Sequence, residues 1–262
     1  MSNPAPSSPA AAGVSPFEGK RAIIVGASSG MGAALVRKLA ADGYAVCALA
    51  RRTELLDELV AATDGAPGQV HVHAHDVTNT PSVKPLFEEC VRAMGGLDLF
   101  IYAAGVMPDV GPEEYDTEKD FVQLAVNIGG CMAWCNEAAL YFQSHRKGSI
   151  VGISSIAGDR GRKGNPAYHT SKAAMSTYLE SLRNRLAASD VHVCTIKPGF
   201  IDTPMTSGIE GLFWLITADE AAETILGAVE RKAGTRYVPY RWMFVALVIR
   251  HIPSFVFKKL SF

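Results

Sequence analysis

The chain has 262 residues, 48% of them hydrophobic, which is enough for one or two domains with a sizeable core. Its formal net charge of −1 excludes the overall basic field on which nucleic-acid binding depends. The five cysteines are odd in number and form no CxxC pair, so neither a disulfide framework nor a zinc site is indicated. We therefore expect a reducing compartment, the cytoplasm.

Residues 1–16 consist mostly of Ser, Pro and Ala and include no charged residue. They lack the basic start and the apolar stretch of a signal peptide, and their composition predicts a disordered arm. We expect residues 17–239 to form one dinucleotide-binding catalytic domain. Residues 240–262, which are apolar and basic, are expected to be a C-terminal extension of that domain.

A strand, a glycine-rich turn and a helix open the domain. The apolar run over residues 21–25 predicts a buried parallel strand, and a helical pattern follows from about Met31 to Ala41. Between them the segment GASSGMG, residues 26–32, has the spacing GxxxGxG. Glycines at such a turn let main-chain N–H groups approach a pyrophosphate at the helix N-terminus, where the helix dipole favours anions. The placement predicts a dinucleotide site.

The second strand, residues 44–50, indicates which nucleotide is bound. A ribose-binding acid is expected near its end, but Ala50 occupies that place and Arg51 and Arg52 follow. No carboxylate is present there to repel a 2′-phosphate, and a guanidinium can pair with that phosphate through two hydrogen bonds. The pattern favours NADP(H) over NAD(H); an exposed Arg pair is the alternative.

A helix over residues 54–62 and an alternating third strand over residues 69–75 come next. Three histidines share one face of that strand: His71, His73 and His75. Extended spacing spreads such ligands too far apart to converge on one ion, so we expect no metal. Asp76 follows the strand's carboxyl end, where a contact with the adenine edge is expected.

The middle of the chain holds a helix over residues 81–94, a fourth strand over residues 97–103 and one long helical pattern over residues 117–145. That pattern contains Asn127 and the pair Gly129-Gly130, which are poor helix formers. A local kink there would bring Asn127 toward the cleft.

A fifth strand over residues 149–153 precedes a helix over residues 167–188. On this helix Tyr168 and Lys172 lie one turn apart on the same face. A nearby ammonium group favours the phenolate and lowers the pKa of a tyrosine, which suits proton exchange near neutral pH. Such a pair also occurs often on a solvated helix face, so the pair alone does not indicate a catalytic site, and other residues of the chain are needed to identify one.

A sixth strand over residues 191–196, a helix over residues 217–232 and a last strand over residues 235–239 complete the pattern. Thr217 and Glu220 are spaced for a capping box at the start of that helix. The alternation predicts an α/β fold: a single Rossmann-like, doubly wound parallel sheet of about seven strands with helices on both faces. Ligands of such sheets bind beyond the carboxyl ends of the strands, where all these polar features lie.

Taken together, the residues resemble the short-chain dehydrogenase/reductase family over about residues 20–239. The resemblance rests on Gly26, Gly30, Gly32, Asp76, Ala103-Ala104-Gly105, Asn127, Ser155, Tyr168, Lys172, Pro198-Gly199 and Thr203. Ser155 precedes Tyr168 by thirteen residues, the spacing usual in that family. One departure is the segment Tyr102-Ala103-Ala104-Gly105, where members often have Asn-Asn-Ala-Gly. The missing Asn is thought to brace the sheet in relatives, so that bracing is in doubt here.

The resemblance implies four catalytic residues. Tyr168 exchanges a proton with the carbonyl or alcohol oxygen, and Lys172 lowers the pKa of Tyr168 and bonds the nicotinamide ribose. Ser155 orients the substrate oxygen, and Asn127 holds a water of a proton relay. Ser154 is the other candidate for the serine role, but the spacing favours Ser155.

It also implies a cofactor-binding set at the strand ends, in which Thr203 contacts the nicotinamide carboxamide and Gly199 leaves room for its ring. The set is Gly26, Ser28, Ser29, Gly30, Met31, Gly32, Arg51, Arg52, Asp76, Val77, Ala103, Ala104, Gly105, Tyr168, Lys172, Pro198, Gly199, Ile201 and Thr203.

Two further segments bear on the substrate. Residues 200–216 are crowded with apolar side chains, and such a lid suits a lipophilic substrate, although ordinary packing against the tail is the alternative. The expected pocket residues are Met205, Ile209, Phe213 and Trp214. The basic loop over residues 159–163 could steer an acidic substrate, but a solvated loop is the favoured interpretation.

The tail contains an apolar run over residues 242–249, which is too short to span a bilayer. Apolar and aromatic residues flanked by Arg and Lys could instead lie in a membrane interface. A helix that closes the pocket or joins subunits is the favoured interpretation.

We therefore expect an NADPH-dependent oxidoreductase that transfers a hydride between nicotinamide and the carbonyl or secondary alcohol of a lipophilic substrate, a keto-lipid or steroid-like ketone. A 3-oxoacyl-thioester reductase is the second candidate, and a non-catalytic NADP(H)-binding regulator is the third. The complete catalytic set argues against the third. By analogy with relatives we expect a homo-oligomer, a dimer or tetramer, with peripheral membrane contact through residues 240–262 as a hypothesis.

Overall fold

The computed structural model describes residues 20–260. The arm expected over residues 1–16 lies outside the described residues, as do residues 17–19 and 261–262. In chain order the strands are β1 (Arg21–Val25), β2 (Ala45–Ala50), β3 (Gln69–Ala74), β4 (Leu99–Tyr102), β5 (Ser149–Ile153), β6 (His192–Pro198), β7 (Ile201–Asp202), β8 (Ile216–Thr217) and β9 (Thr235–Val238).

Seven of these strands form one parallel sheet in the order β3-β2-β1-β4-β5-β6-β9. This confirms the predicted doubly wound sheet, because the order reverses direction at β1. The strands β7 and β8 were not expected; they pair with each other and bring together the two ends of the segment that runs between residues 203 and 215.

The helices are α1 (Gly30–Ala41), α2 (Thr53–Ala62), α3 (Val83–Met94), α4 (Thr117–Leu124), α5 (Cys131–His145), α6 (Pro166–Leu186), α7 (Ala218–Glu230), α8 (Trp242–His251) and α9 (Ser254–Phe257). A π-helical segment, Ala125–Gly130, joins α4 to α5 and is the predicted kink. The predicted capping box at α7 is present: the side chain of Thr217 accepts from the Glu220 N–H at 3.1 Å, and the Glu220 carboxylate accepts from the Thr217 N–H at 2.8 Å.

The sheet is buried on both faces, as its apolar strands predict. In β1, Ile23 and Val25 face the layer formed with α3, α5 and α6, whereas Ala22 and Ile24 face the layer formed with α1, α2 and α7. Each large apolar side chain buried in this way contributes about 1.5–3 kcal/mol. Two hydrophobic layers therefore hold the strands in place, and their carboxyl ends form one edge.

Tyr102 braces the sheet near the end of β4, where relatives often use the missing Asn. Its hydroxyl group is buried and donates to the Val126 carbonyl oxygen in the π-helical segment at 2.6 Å. A Cβ atom on Gly130 would overlap that hydroxyl group, which explains why the chain carries glycine there. A tyrosine therefore ties the sheet to the kinked helix in this chain.

The three histidines of β3 do not converge on one point. His75 accepts from the indole N–H of Trp134 at 3.1 Å, while His73 lies 3.9 Å from Glu89. Cys47 and Cys90 lie near His73, with ligand atoms within 4.8 Å of one another. A hydrogen bond with Cys47, together with burial, raises the pKa of the Cys90 thiol, and both cysteines are fully buried core side chains.

Within residues 20–260, every helix falls short of the length and apolar character that crossing a membrane requires.

Candidate active site

Two connected cavities lie at the carboxyl edge of the sheet. A groove of about 190 Å³ follows the ends of β1 to β4 and the start of α1. A second cavity of about 350 Å³ lies beside the ends of β5 and β6 and the first turns of α6. Met31, Ala103, Gly105, Thr203 and Met205 line both, so the two spaces are continuous.

The glycine turn shapes the groove through its main chain. Gly26 has a φ of 91°, and a Cβ atom there would overlap the main chain of Ala104. A Cβ atom on Gly32 would overlap the carbonyl oxygen of Gly26. Ser29 precedes α1 without a hydrogen bond from its side chain to the helix, so no side chain caps the first N–H groups. The turn thus leaves main-chain donors available to a pyrophosphate.

Two arginines follow β2 at the far end of the groove. Arg52 donates to the side chains of Ser28 at 2.9 Å and Ser29 at 2.7 Å. Arg51 lies 4.0 Å from Asp76. Hydrogen bonds from Thr78 are the main reason why the pKa of Asp76 is lowered. The groove ends in two serine hydroxyls held by a guanidinium, a donor set that fits a phosphate group.

The start of α6 places the expected proton donor. Asn165 caps the helix by accepting from the Tyr168 N–H at 3.2 Å, and its amide also donates to the Pro108 carbonyl oxygen at 2.9 Å. Pro166 occupies the first turn, where no N–H group is needed. Tyr168 is thereby directed into the second cavity, within hydrogen-bonding range of Ser155.

Lys172 lies one turn later on α6 and is buried. Its Nζ donates to the Ile153 carbonyl oxygen at 2.9 Å and lies 5.7 Å from the centre of the Tyr168 ring. Burial lowers the pKa of Lys172 to about 8. The helix therefore brings the expected phenol and ammonium groups into one cavity.

The expected effect of Lys172 on Tyr168 is not found. Burial raises the pKa of Tyr168, and only the hydrogen bond with Ser155 opposes that rise. The physical reason is that Lys172 is oriented toward a main-chain carbonyl and is itself discouraged from carrying charge. A lower pKa for Tyr168 would need a further positive charge in the cavity.

The neighbouring serines differ in their partners. Ser154 donates to the Lys172 carbonyl oxygen at 2.8 Å and also bonds the Ser176 hydroxyl at 2.8 Å, which fastens β5 to α6. The Ser155 oxygen accepts from the Ala157 N–H at 3.0 Å and so keeps its own proton available for donation. This arrangement agrees with the choice of Ser155 over Ser154.

Asn127 lies in the π-helical segment and is fully buried. Its amide donates to the Val106 carbonyl oxygen and to the Ser171 hydroxyl, each at 3.0 Å, and its oxygen accepts from the Val106 N–H at 2.8 Å. The side chain is therefore engaged with protein groups. A relay water at this position, which stays a prediction, would bond the main chain of the kinked segment.

Every residue of the predicted cofactor set lines one of the two cavities. Two of the four predicted pocket residues line a cavity and two do not. Met205 and Ile209 line the second cavity, but Phe213 and Trp214 do not. Their rings pack against the ring of Trp242 instead, with centres 5.0 and 5.6 Å apart. Trp242 lines the cavity itself, so the two predicted aromatics lie one layer further out.

Other lining residues were not among the predicted site residues, although most of them lie close to predicted ones in the chain, and Trp242 comes from the tail. They include Met107, Ile156, Arg162, His169, Phe200 and Trp242.

The loop after Ser155 is fastened to the tail, so the solvated-loop interpretation is wrong for its first residues. The buried carboxylate of Asp159 accepts from Lys197 at 2.5 Å and from the Tyr237 hydroxyl at 2.9 Å, and it also pairs with Arg250.

Arg160 makes the second connection to the tail. It donates to the carbonyl oxygens of Ile249 at 2.6 Å and Ile252 at 2.5 Å, at the end of α8, and lies 3.9 Å from the ring centre of Phe257. These bonds hold α8 against the cavity, so the favoured interpretation of the tail, a helix that closes the pocket, agrees with the structure.

Comparison with known proteins accounts for this arrangement. Residues 20–211 match the family model of the short chain dehydrogenases. The chain belongs to the short-chain dehydrogenase/reductase family. The 3-oxoacyl-[acyl-carrier-protein] reductase FabG of Thermotoga maritima is 32% identical over 213 residues, which cover 81% of this chain and 83% of that protein. An uncharacterized oxidoreductase of Myxococcus xanthus is 34% identical over 188 residues, 72% of this chain and 74% of that protein.

Solved structures show the same fold. A short-chain dehydrogenase/reductase from Mycobacterium ulcerans has a TM-score of 0.77 at 24% identity and covers 85% of this chain and 88% of its own. The structure named ElxO with NADP bound has a TM-score of 0.76 at 22% identity and covers 84% and 98%. Members of this family are oxidoreductases that bind a nicotinamide cofactor and act on small molecules.

Proposed function

We propose that this short-chain dehydrogenase/reductase uses NADP(H) to reduce the carbonyl group of a lipophilic substrate, or to oxidise the corresponding alcohol. The observation that carries the proposal is the convergence of Ser155, Tyr168 and Lys172 on one cavity that is continuous with the nucleotide groove. A protein that only senses the nucleotide would need the groove but not these three groups.

Arg51 and Arg52 support the preference for NADP(H). No acidic residue follows β2 directly, and Arg52 already holds the hydroxyls of Ser28 and Ser29 in the groove. A 2′-phosphate placed there would meet guanidinium and hydroxyl donors, which form strong charge-assisted hydrogen bonds.

The positions of the side chains indicate which groups transfer the proton. When bound, the nicotinamide supplies the hydride and, once oxidised, a positive charge. Ser155 donates a hydrogen bond to the carbonyl oxygen and orients it, while Tyr168 gives that oxygen its proton. Lys172 would bond the nicotinamide ribose, and the positive charge of the oxidised nicotinamide would stabilise the phenolate that remains. Because protein groups alone keep the pKa of Tyr168 high, the phenol holds its proton until charge develops beside it.

The lining of the second cavity supports a lipophilic substrate. Its walls include the apolar side chains of Met107, Ile156, Phe200, Ile209 and Trp242. Acidic side chains are absent from that lining in the described part of the chain. A cavity of about 350 Å³ that combines these apolar side chains with the hydroxyl groups of Ser155 and Tyr168 suits a ketone on an apolar body.

A 3-oxoacyl-thioester reductase is the second candidate, because the relative from Thermotoga maritima carries that name. The test is NADPH oxidation measured with ketones graded by chain length and polarity, alongside 3-oxoacyl thioesters of matched length. We expect kcat/KM to rise with the apolar length of the free ketones. A marked preference for the thioesters would favour the second candidate, and no turnover with any carbonyl compound would contradict the proposal.

The outer face of the tail supports peripheral membrane contact as part of this function. Phe244, Leu247, Val248 and Phe255 are each more than half exposed. Residues 240–262 carry four Lys or Arg side chains and no acidic residue, which complements an anionic lipid surface. Since Trp242 on the same helix lines the cavity, the contact would place the substrate pocket near lipid.

Sedimentation with vesicles tests this contact. We expect binding to phosphatidylglycerol vesicles that weakens at high salt, and loss of binding in a Phe244→Ser, Leu247→Ser variant. Val60→Ser, at an exposed apolar residue on α2, is the matched control. Failure of the wild type to bind, or equal binding by both variants, would contradict the contact.

A homo-oligomer, a dimer or tetramer, is also proposed. Exposed apolar side chains on α4 and α5 support it, namely Phe121, Val122, Met132 and Leu140. Light scattering during size-exclusion chromatography measures the mass, and a mass of one chain would contradict it.

A further inference from the structure

Most polar groups that line the second cavity already have partners within the protein. Ser154 is bonded to α6, Lys172 to the Ile153 carbonyl, and Asn165 to the Pro108 carbonyl. The ring of His169 bonds the Ala157 carbonyl oxygen through Nδ1 at 2.7 Å. None of these groups needs the substrate to satisfy it.

Two buried nitrogen atoms in that lining lack hydrogen-bond partners within residues 20–260. They are Nε of Arg162 and Nε1 of Trp242. Both are donors and neither can accept. Both atoms are closed off from the cavity, the indole nitrogen by the main chain of Gly199, so a ligand oxygen does not reach them. The Nη atoms of Arg162 are not closed off in this way, and within residues 20–260 no hydrogen bond engages them, so a ligand that supplies acceptors would be favoured at that end of the guanidinium.

Arg162 also carries a charge that the cavity wall does not balance. The nearest acidic residue in the loop is Asp159, which is already engaged by Lys197, Tyr237 and Arg250. Burial lowers the pKa of Arg162, and the charge of Asp159 offsets only part of that cost. A guanidinium in apolar surroundings is stabilised strongly by an anion that pairs with it.

We propose that the guanidinium of Arg162 forms a subsite for a carboxylate carried by the lipophilic substrate. The substrate class is then an oxo acid whose carbonyl group meets Ser155 and Tyr168 and whose carboxylate meets Arg162 across the apolar wall. The inference rests on the proposed function, because it assigns the reacting carbonyl to that same cavity. The planar guanidinium matches the two oxygens of a carboxylate.

The neighbouring lysine provides the matched control. Lys163 follows Arg162 directly, is exposed, and does not line the cavity. A general attraction between the basic loop and an anion would depend on both residues and would weaken with salt. A built subsite would depend on Arg162 alone.

The experiment compares an oxo fatty acid with its methyl ester in NADPH oxidation, using the wild type, Arg162→Met, Arg162→Lys, Trp242→Phe and Lys163→Met. We expect the wild type to prefer the acid at least tenfold in kcat/KM. In Arg162→Met that preference should fall about 10- to 100-fold, mainly through KM. Arg162→Lys should retain part of the preference. Trp242→Phe, which changes the wall for acid and ester alike, should keep the preference, and so should Lys163→Met.

Three outcomes would overturn the inference: no preference for the acid, an equal loss for acid and ester in Arg162→Met, or an equal effect of Lys163→Met. An oxoalkyl phosphate of the same length distinguishes the two kinds of oxyanion, since preference for the phosphate would exclude a carboxylate subsite.

Binding of dodecanoate to the protein with NADP⁺ separates this inference from the proposed function. Dodecanoate has no keto group to reduce, so its affinity measures binding at the subsite without turnover. If no carbonyl compound is reduced but dodecanoate binds about tenfold or more tightly than methyl dodecanoate, and Arg162→Met removes the difference, the subsite stands while the proposed function fails. Equal affinities for the acid and the ester would overturn the subsite itself.

Discussion

The nucleotide groove and the substrate cavity share five lining residues but are built in opposite ways. The groove is formed largely by main chain that follows four consecutive strands, and its key contacts join residues that are close in the family motifs, such as Gly26 and Gly32. The cavity is closed by side chains brought from distant parts of the chain, such as Arg162 and Trp242. Main-chain geometry tolerates little change, whereas a wall of side chains can vary and so can select a substrate.

The largest effect should come from the proton donor of the substrate cavity, Tyr168. Tyr168→Phe removes one hydroxyl group that lies in the cavity, where it hydrogen-bonds Ser155. We expect kcat to fall by about 10²- to 10⁴-fold because the phenol is the group to which we assign delivery of the proton. The groove should be unaffected, so NADPH affinity, measured by fluorescence titration, should stay within about threefold of wild type.

Turnover by Tyr168→Phe equal to that of the wild type would contradict the role assigned to the phenol. Parallel loss of NADPH binding would show that the groove and the cavity are not separable.

The groove could be predicted from the sequence because its determinants are local. A strand, a glycine turn and a helix adjoin in the chain, and the arginines come directly after the next strand, so spacing alone places Gly26, Gly32 and Arg52 together. The alternation of strands and helices also predicted the doubly wound parallel sheet, although the order of its strands comes from the structure. The kink was predictable from Asn127 and its glycines, although the hydroxyl of Tyr102 that Gly130 accommodates was not.

The cavity could be predicted only in part, because tertiary contacts between distant segments decide it. Trp242 lies more than seventy residues after Tyr168 and reaches the cavity only because Arg160 bonds the end of α8. Composition placed Phe213 and Trp214 in the pocket, but their rings stack on the outside of Trp242. No pattern in one sequence reports such layering.

A main-chain change should disable the groove almost as strongly. Gly32→Ala would place a Cβ atom on the carbonyl oxygen of Gly26, and main chain cannot move aside as a side chain can. We expect at least about 100-fold weaker NADPH binding or a loss of about 3 kcal/mol or more in stability. Titration with NADPH and thermal unfolding measure the two effects.

Gly161→Ala is the matched control for Gly32→Ala, since its added Cβ atom would meet nothing within 4 Å. Ordinary NADPH binding and stability in Gly32→Ala would show that the groove is more deformable than its geometry implies.

Lys172 provides a pH test of the cavity. Its pKa is lowered to about 8 in the folded protein from an ordinary value of 10.5. Below pH 8 the charge is buried at a cost, whereas between pH 8 and 10.5 the folded side chain is neutral and the unfolded one still binds a proton. Stability due to this residue therefore rises with pH across that window, by up to about 3 kcal/mol.

Urea unfolding of the wild type and of Lys172→Met at several pH values isolates that contribution. We expect the wild type to gain stability relative to Lys172→Met between pH 8 and 10.5. Lys163→Met, which removes an exposed lysine, is the matched control. A difference between the wild type and Lys172→Met that does not change with pH would mean that the buried amine titrates normally.

The smallest effect is expected for Arg52, a charged side chain at the far end of the groove. Arg52 holds Ser28 and Ser29, and its guanidinium would also meet the 2′-phosphate. We expect Arg52→Ala to weaken NADPH binding about 10- to 100-fold, the cost of one or two charge-assisted hydrogen bonds, and to change NADH binding less than threefold. The ratio of the NADPH and NADH dissociation constants reports recognition of the 2′-phosphate, because the two dinucleotides are otherwise the same. If NADPH and NADH binding weakened equally, the weaker binding would come from a disturbed serine turn. If the ratio of the two dissociation constants were also unchanged in Arg51→Ala, the 2′-phosphate would be recognised elsewhere.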